Sequence, residues 1–136
     1  MKRKALITSI SGTILSQKEL NLFKNHKPWG IILFKRNIVN FNQTKKLIKS
    51  IQNIFNDKNY PILIDEEGGA VCRLTTILDN KAYSQNFFAK LYKKNKNLGF
   101  SIYENYIYSL SSVLKKLGIN INTVPVLDVL KKNTHR

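Results

Sequence analysis

The chain has 136 residues, 43% of them apolar and 23% charged, a balance that suits one globular domain or part of one and excludes wholesale disorder. Lys and Arg number 23 against 8 Asp and Glu, a formal net charge of +15 that would draw in an anionic partner. The lysines are spread from Lys2 to Lys132 with no recognition motif beside them, so the charge reads as a solvated surface rather than a nucleic-acid footprint.

The start, Met1-Lys2-Arg3-Lys4 followed by Ala5 to Ile10, superficially matches a secretory signal. Thr8, Ser9, Ser11 and Gly12 interrupt the apolar run too early for that, so Ala5 to Ile10 is expected to be a first strand. Ser16-Gln17-Lys18-Glu19 has capping-box spacing and predicts a helix through about Lys24. Gly30 to Phe34 reads as a second, buried strand closed by Lys35-Arg36-Asn37. Asn42 is expected to cap a helix with Leu47, Ile48, Ile51, Ile54 and Phe55 on one stripe. Pro61 to Ile64 is the third strand. Helical segments are predicted from about Asn86 to Lys94 and from Leu98 to Leu117, with Gly118 as a helix stop. Ile119 to Val124 is the fourth strand, and Pro125-Val126-Leu127-Asp128-Val129 again ends an apolar run on an acid. Alternating strands and helices point to a parallel sheet, either open and doubly wound or part of a barrel. No Gly-rich phosphate loop follows the first strand, which weakens the dinucleotide-binding version. No apolar run approaches the roughly 18 residues of a membrane span.

The densest chemistry lies in Ile64-Asp65-Glu66-Glu67-Gly68-Gly69-Ala70-Val71-Cys72-Arg73. A buried parallel strand opens at its carboxyl end onto a polar mouth, where α/β folds bind ligands, and this one delivers three acids, two glycines and an arginine there. The acids alone admit several readings: a magnesium site completed by Asp128, a solvated acidic turn, or a carboxylate that holds sugar hydroxyls. Asp65 and Glu66 point to opposite faces of a strand, so they are poorly placed to flank one bond as a catalytic pair. Glu67, in the turn, is expected to anchor the Gly-Gly loop. Cys72 is the lone cysteine; it excludes an internal disulfide and suits a reducing cytoplasm, with small packing as its role. His26 reads as a helix-end histidine, Trp29 as a packing residue, and Tyr103, Tyr106 and Tyr108 as helix residues covering the sheet. Arg36 is placed at the mouth, and His135 has no evident partner.

Three segments, Gly30 to Asn37, Ile64 to Arg73, and Val124 to Val129, together resemble glycoside hydrolase family 3 in order and spacing, and within it the bacterial β-N-acetylhexosaminidase type. The resemblance implies the amino-terminal half of a TIM (β/α)8 barrel, about four βα units around a parallel sheet, with residues 1–136 a partial catalytic domain truncated at its carboxyl end. It implies that Asp65 accepts hydrogen bonds from hydroxyls of a terminal sugar and that Arg73 contacts the same sugar. Glu67 and Asp128 are expected to line the site. The family's nucleophile and acid/base belong to later segments, so no catalytic residue is expected in this chain, which alone should not turn over. Where the family often has Gln and Arg, Glu66 and Ala70 stand here. The implied activity is retaining hydrolysis that removes N-acetylglucosamine from peptidoglycan fragments in the cytoplasm. No metal or other cofactor is expected. The implied partner is an N-acetylglucosamine-containing saccharide or muropeptide, not nucleic acid or membrane, with self-association through open barrel edges. The competing readings are a non-catalytic carbohydrate-binding or interaction module and, less favoured, a basic nucleic-acid-binding domain.

Overall fold

The computed structural model describes residues 3–127. Asp128, Val129 and His135 therefore lie outside the described residues. Four parallel strands, β1 (Lys4–Ser9), β2 (Pro28–Leu33), β3 (Ile62–Ile64) and β4 (Ile121–Asn122), lie side by side in chain order. Same-direction neighbours need crossovers. These are supplied by α1 (Gln17–His26), α2 (Phe41–Phe55) and the pair α3 (Gln85–Lys94) and α4 (Lys96–Leu117). A doubly wound sheet reverses its strand order at a switch point, whereas a barrel keeps it, and the order here runs β1-β2-β3-β4 without reversal.

The core forms where the sheet meets the helices. Ile31, Leu33, Ile62 and Ile64 have no exposed surface, and α2 covers them with Leu47, Ile48, Ile51 and Phe55, as the 3.6-residue stripe in the sequence requires. Leu110, Leu114 and Leu117 of α4 and Phe23 of α1 join the cluster. Tyr60 stacks on Phe55 at 3.9 Å between ring centroids and donates its hydroxyl to the Pro28 carbonyl at 2.6 Å. Burial raises the Tyr60 phenol to about 12.

Several elements differ from their sequence expectation for identifiable reasons. Asn40, not Asn42, caps α2: its side chain accepts from the Gln43 N–H at 2.9 Å, and the Gln43 side chain reaches back to the Val39 N–H at 3.0 Å. The return bond goes to the residue before the cap rather than to Asn40 itself, a variant of the capping box. Strand β4 is only two residues long because side chains take over part of the ladder: Asn120 Oδ1 accepts from the Ile62 N–H at 2.8 Å. Trp29 is not part of the core. It is 41% exposed, pointing outward between the buried Pro28 and Gly30. Of the three tyrosines expected to cover the sheet, Tyr106 packs against the core, Tyr103 lies against Phe88, and Tyr108 faces solvent.

Strands β1 and β4 are the sheet edges, and β1 is largely uncovered, with Leu6 and Ile7 about half exposed. Among the described residues no helix is long and apolar enough to cross a membrane.

Candidate functional site

Strand register sets the rim of the site. Leu33, Ile64 and Asn122 are level across β2, β3 and β4, so Phe34, Asp65 and Thr123 emerge together at the carboxyl ends. Strand β1 is tied to this rim by side chains. Buried Asn37 donates to the carbonyls of Ile10 at 3.1 Å and Gly12 at 2.8 Å, and Arg36 reaches the Ile10 carbonyl at 3.0 Å and the Ser9 hydroxyl at 2.9 Å. Arg36 thus lies at the mouth as expected, held as a brace between β1 and β2.

Asp65 and Arg73 are brought together although eight positions separate them in sequence. Arg73 Nη2 stands 4.0 Å from Asp65 Oδ2, and each side chain is about one-quarter exposed. The guanidinium carbon lies 5.8 Å from the centre of the Phe34 ring, over whose face Arg36 also stands at 4.8 Å. A flat cation over an aromatic face is attracted to it, and here the ring limits where the Arg73 fork can go. The second oxygen of Asp65 is engaged from the residue just after β4: the Thr123 hydroxyl donates to Oδ1 at 2.5 Å.

The loop that returns Arg73 to the rim is built around a buried carboxylate. Glu66 is 1% exposed, and its Oε2 accepts from the backbone N–H of Arg73 at 2.7 Å and of Leu74 at 2.9 Å, while Asn80 Nδ2 lies 3.4 Å from Oε1. The Asn122 amide pairs with the Glu66 backbone, accepting from its N–H at 3.0 Å and donating to its carbonyl at 3.2 Å. Loop anchoring therefore falls to the Glu66 carboxylate. Glu67, expected to do this, contributes its backbone N–H to the Val71 carbonyl at 3.0 Å, closing the turn. Gly68 and Gly69 have positive φ of 78° and 62°, and a Cβ on Gly68 would collide with the Tyr83 carbonyl.

Glu67 also lines a cavity of about 20 Å³ shared with Glu66, Tyr83 and Tyr106, roughly the space of one water molecule. The buried Tyr106 hydroxyl has no hydrogen-bond partner among the described residues, and burial, with Glu66 nearby, pushes it up to about 12. Cys72 is buried behind the same loop; burial first, then its hydrogen bond to Glu66, raises the thiol to about 11. Among the described residues no group of three metal-ligating side chains converges. Glu66 illustrates why Asp65-Glu66-Glu67 is not a cation cluster: its oxygens point inward and are occupied by donors. His26 ends α1, with Nδ1 3.1 Å from Lys4 Nζ, remote in sequence from the rim.

A hydroxyl oxygen placed between Asp65 Oδ2 and Arg73 Nη2 can lie within hydrogen-bond distance of both across their 4.0 Å gap, donating to one and accepting from the other. The arrangement is suited to holding a polyol. Phe34, Asn37, Asn122, Thr123 and the structural use of Glu66 were not singled out in the sequence. The available signal was Asn122-Thr123 directly before Val124-Pro125, polar residues at the end of a strand on the same rim as Asp65.

Known proteins of similar sequence and fold share the strand order described above. No protein-family model matches the chain. A protein named beta-hexosaminidase from Histophilus somni is 28% identical over 124 residues, covering 91% of this chain and 35% of that protein. One of the same name from Xanthomonas axonopodis is 26% identical over 128 residues, covering 94% and 38%. Among solved structures, NagZ from Neisseria gonorrhoeae in complex with N-trifluoroacetyl-D-glucosamine superposes with a TM-score of 0.82 at 26% identity, over 93% of this chain and 37% of that one. A glycoside hydrolase family 3 beta-N-acetylglucosaminidase from Paenibacillus gives 0.62 at 27% identity, over 92% and 23%. The chain thus spans little more than one-third of the curated relatives it matches, consistent with four units of an eight-unit barrel. Over 91–94% of its own length, the chain is similar to proteins named beta-hexosaminidase, and its fold is similar to those of NagZ and of a glycoside hydrolase family 3 beta-N-acetylglucosaminidase.

Proposed function

We propose that this chain carries the terminal-sugar recognition part of a β-N-acetylhexosaminidase, with Asp65 and Arg73 as the residues that hold the sugar. The observation that carries the reading is the Asp65–Arg73 pair at the strand ends, 4.0 Å apart and partly open to solvent. Asp65 accepts from sugar hydroxyls, and Arg73 donates to a neighbouring oxygen through a planar fork that Lys could not reproduce. Glu67 and Asp128 belong to the same proposal as residues lining the site. The substrate class is a peptidoglycan fragment that ends in N-acetylglucosamine, and a cytoplasmic setting fits the unpaired Cys72.

The hydrolysis is proposed as a retaining double displacement, which needs a nucleophilic carboxylate and a separate acid/base. Asp65 is assigned to binding, and Glu66 is withdrawn into the loop, so neither supplies the nucleophile. The chain by itself is therefore expected to bind sugar without cleaving it. In calorimetric titration the wild-type chain should bind N-acetylglucosamine saturably, and Asp65→Ala should weaken binding by about tenfold or more, the loss typical of a hydrogen-bonded charged group. Equal affinity for the two would overturn the assignment. Release of a chromogenic aglycone from an N-acetylglucosaminide by the purified chain would overturn the claim that turnover needs further groups.

A further inference from the structure

We infer that Thr123 is a positioning residue for Asp65, fixing the carboxylate in the orientation that recognises sugar; this rests on the sugar-binding reading of Asp65. Thr123 directly follows β4 and is held there by its own backbone, whose N–H donates to the Ile64 carbonyl at 3.0 Å. Its Oγ1 has one proton and two acceptors in range, Asp65 Oδ1 at 2.5 Å and the Ile64 carbonyl at 3.4 Å. The carboxylate wins that proton on both distance and charge. Because Thr is branched at Cβ, its χ1 is stiff, and the donor stays in place.

For Asp65 the consequence is directional. With Oδ1 engaged by Thr123, the carboxylate is oriented with Oδ2 towards Arg73 Nη2, 4.0 Å away. A partly exposed carboxylate without that donor samples other rotamers and must be ordered when ligand arrives, which weakens binding. Thr123 supplies that ordering beforehand. Its side chain is exposed and outside the hydrophobic cluster, so replacing the hydroxyl by a methyl group removes the donor without opening the core.

The test compares Thr123→Val, Thr123→Ser and Asp65→Ala in the full chain, reading N-acetylglucosamine affinity by calorimetry and the thermal midpoint alongside. Thr123→Val should bind about five- to tenfold more weakly at an unchanged midpoint, the loss expected for one charge-assisted hydrogen bond at a partly exposed site. Thr123→Ser keeps the donor and should stay within about threefold of wild type. Thr123→Val binding as well as wild type, while Asp65→Ala does not, overturns this inference alone. A serine variant as weak as the valine one also overturns it, because the hydroxyl would then not be the operative group. Wild-type affinity in Asp65→Ala, or no binding by the folded wild-type chain, removes the sugar-site reading and the role of Thr123 with it.

Discussion

Glu66 and Asp65 are adjacent carboxylates put to opposite uses. Oε2 of Glu66 alone receives both the Arg73 and Leu74 amides, and Oε1 is 3.4 Å from Asn80. Glu66→Ala leaves one buried and one part-buried N–H group without an acceptor and should cost about 2–4 kcal/mol in urea denaturation. Glu66→Gln can present its oxygen to the same two amides while Asn80 turns its own amide, so it should lose less than about 1.5 kcal/mol; a loss as large as alanine's would contradict this account. The Gln common at this position in the resembling family is then understandable. The Cys72 thiol, raised from 9.0 to about 11 chiefly by burial, should resist alkylation in the folded chain at pH 8 and react only on unfolding. By the sign of that shift, its contribution to stability is complete below pH 9 and is lost as pH rises towards 11. Asp65 and Arg73 were legible in the sequence because a strand tip and a glycine turn mark them. Glu66 was not, since nothing local tells which of three consecutive acids turns inward; that depends on Leu74 and Asn80, brought near only by the loop.

Helix caps and loop turns decide how the rim is delivered. In α1, Ser16 and Glu19 make the full capping box, and Glu19 also accepts from the N–H and hydroxyl of Ser11, tying the loop after β1 to the helix. Partial burial pushes the Glu19 carboxyl up, but its bonds to Ser16 and Ser11 outweigh this and hold it below its ordinary value. Its support is therefore present above the ordinary carboxyl range and lost as pH falls through the depressed one. Ser16→Ala should destabilise the chain by about 1 kcal/mol in thermal or urea unfolding. Gly68→Ala should cost more than Gly69→Ala, since Gly68 faces the Tyr83 backbone while the nearest neighbour of Gly69 is the Ser84 side chain. Elements with strong local signals were legible in the sequence: the Ser16 box, the α2 stripe and the Gly118 stop. The cap of α2 was displaced by two residues because Asn40-x-x-Gln43 competes with Asn42. The extent of β4 was overstated because Asn120 and Asn122 replace ladder bonds with side-chain ones, which apolar periodicity does not register.

At the scale of the molecule, strand order without reversal is the property that puts Phe34, Asp65 and Thr123 on one rim, and it was legible as a repeating strand-helix pattern. What the pattern left open, barrel or doubly wound sheet, is a matter of strand neighbours across the sheet. The uncovered β1 and the edge at β4 leave backbone groups and apolar side chains such as Leu6 and Ile7 available for pairing. We expect the chain to self-associate in sedimentation at micromolar concentration; a monodisperse monomer over that range would show that +15 of charge outweighs the open edges. A second concavity, lined by Ile14, Phe41 and Lys46 between the loop after β1 and the start of α2, offers a different place for a ligand. An NMR titration of the labelled chain with N-acetylglucosamine separates the two. The account predicts saturable amide shifts concentrated at residues 64–74 and 122–124 and absent in Asp65→Ala. Shifts confined to the groove around Ile14 and Phe41, or no shifts in a folded chain, would contradict it.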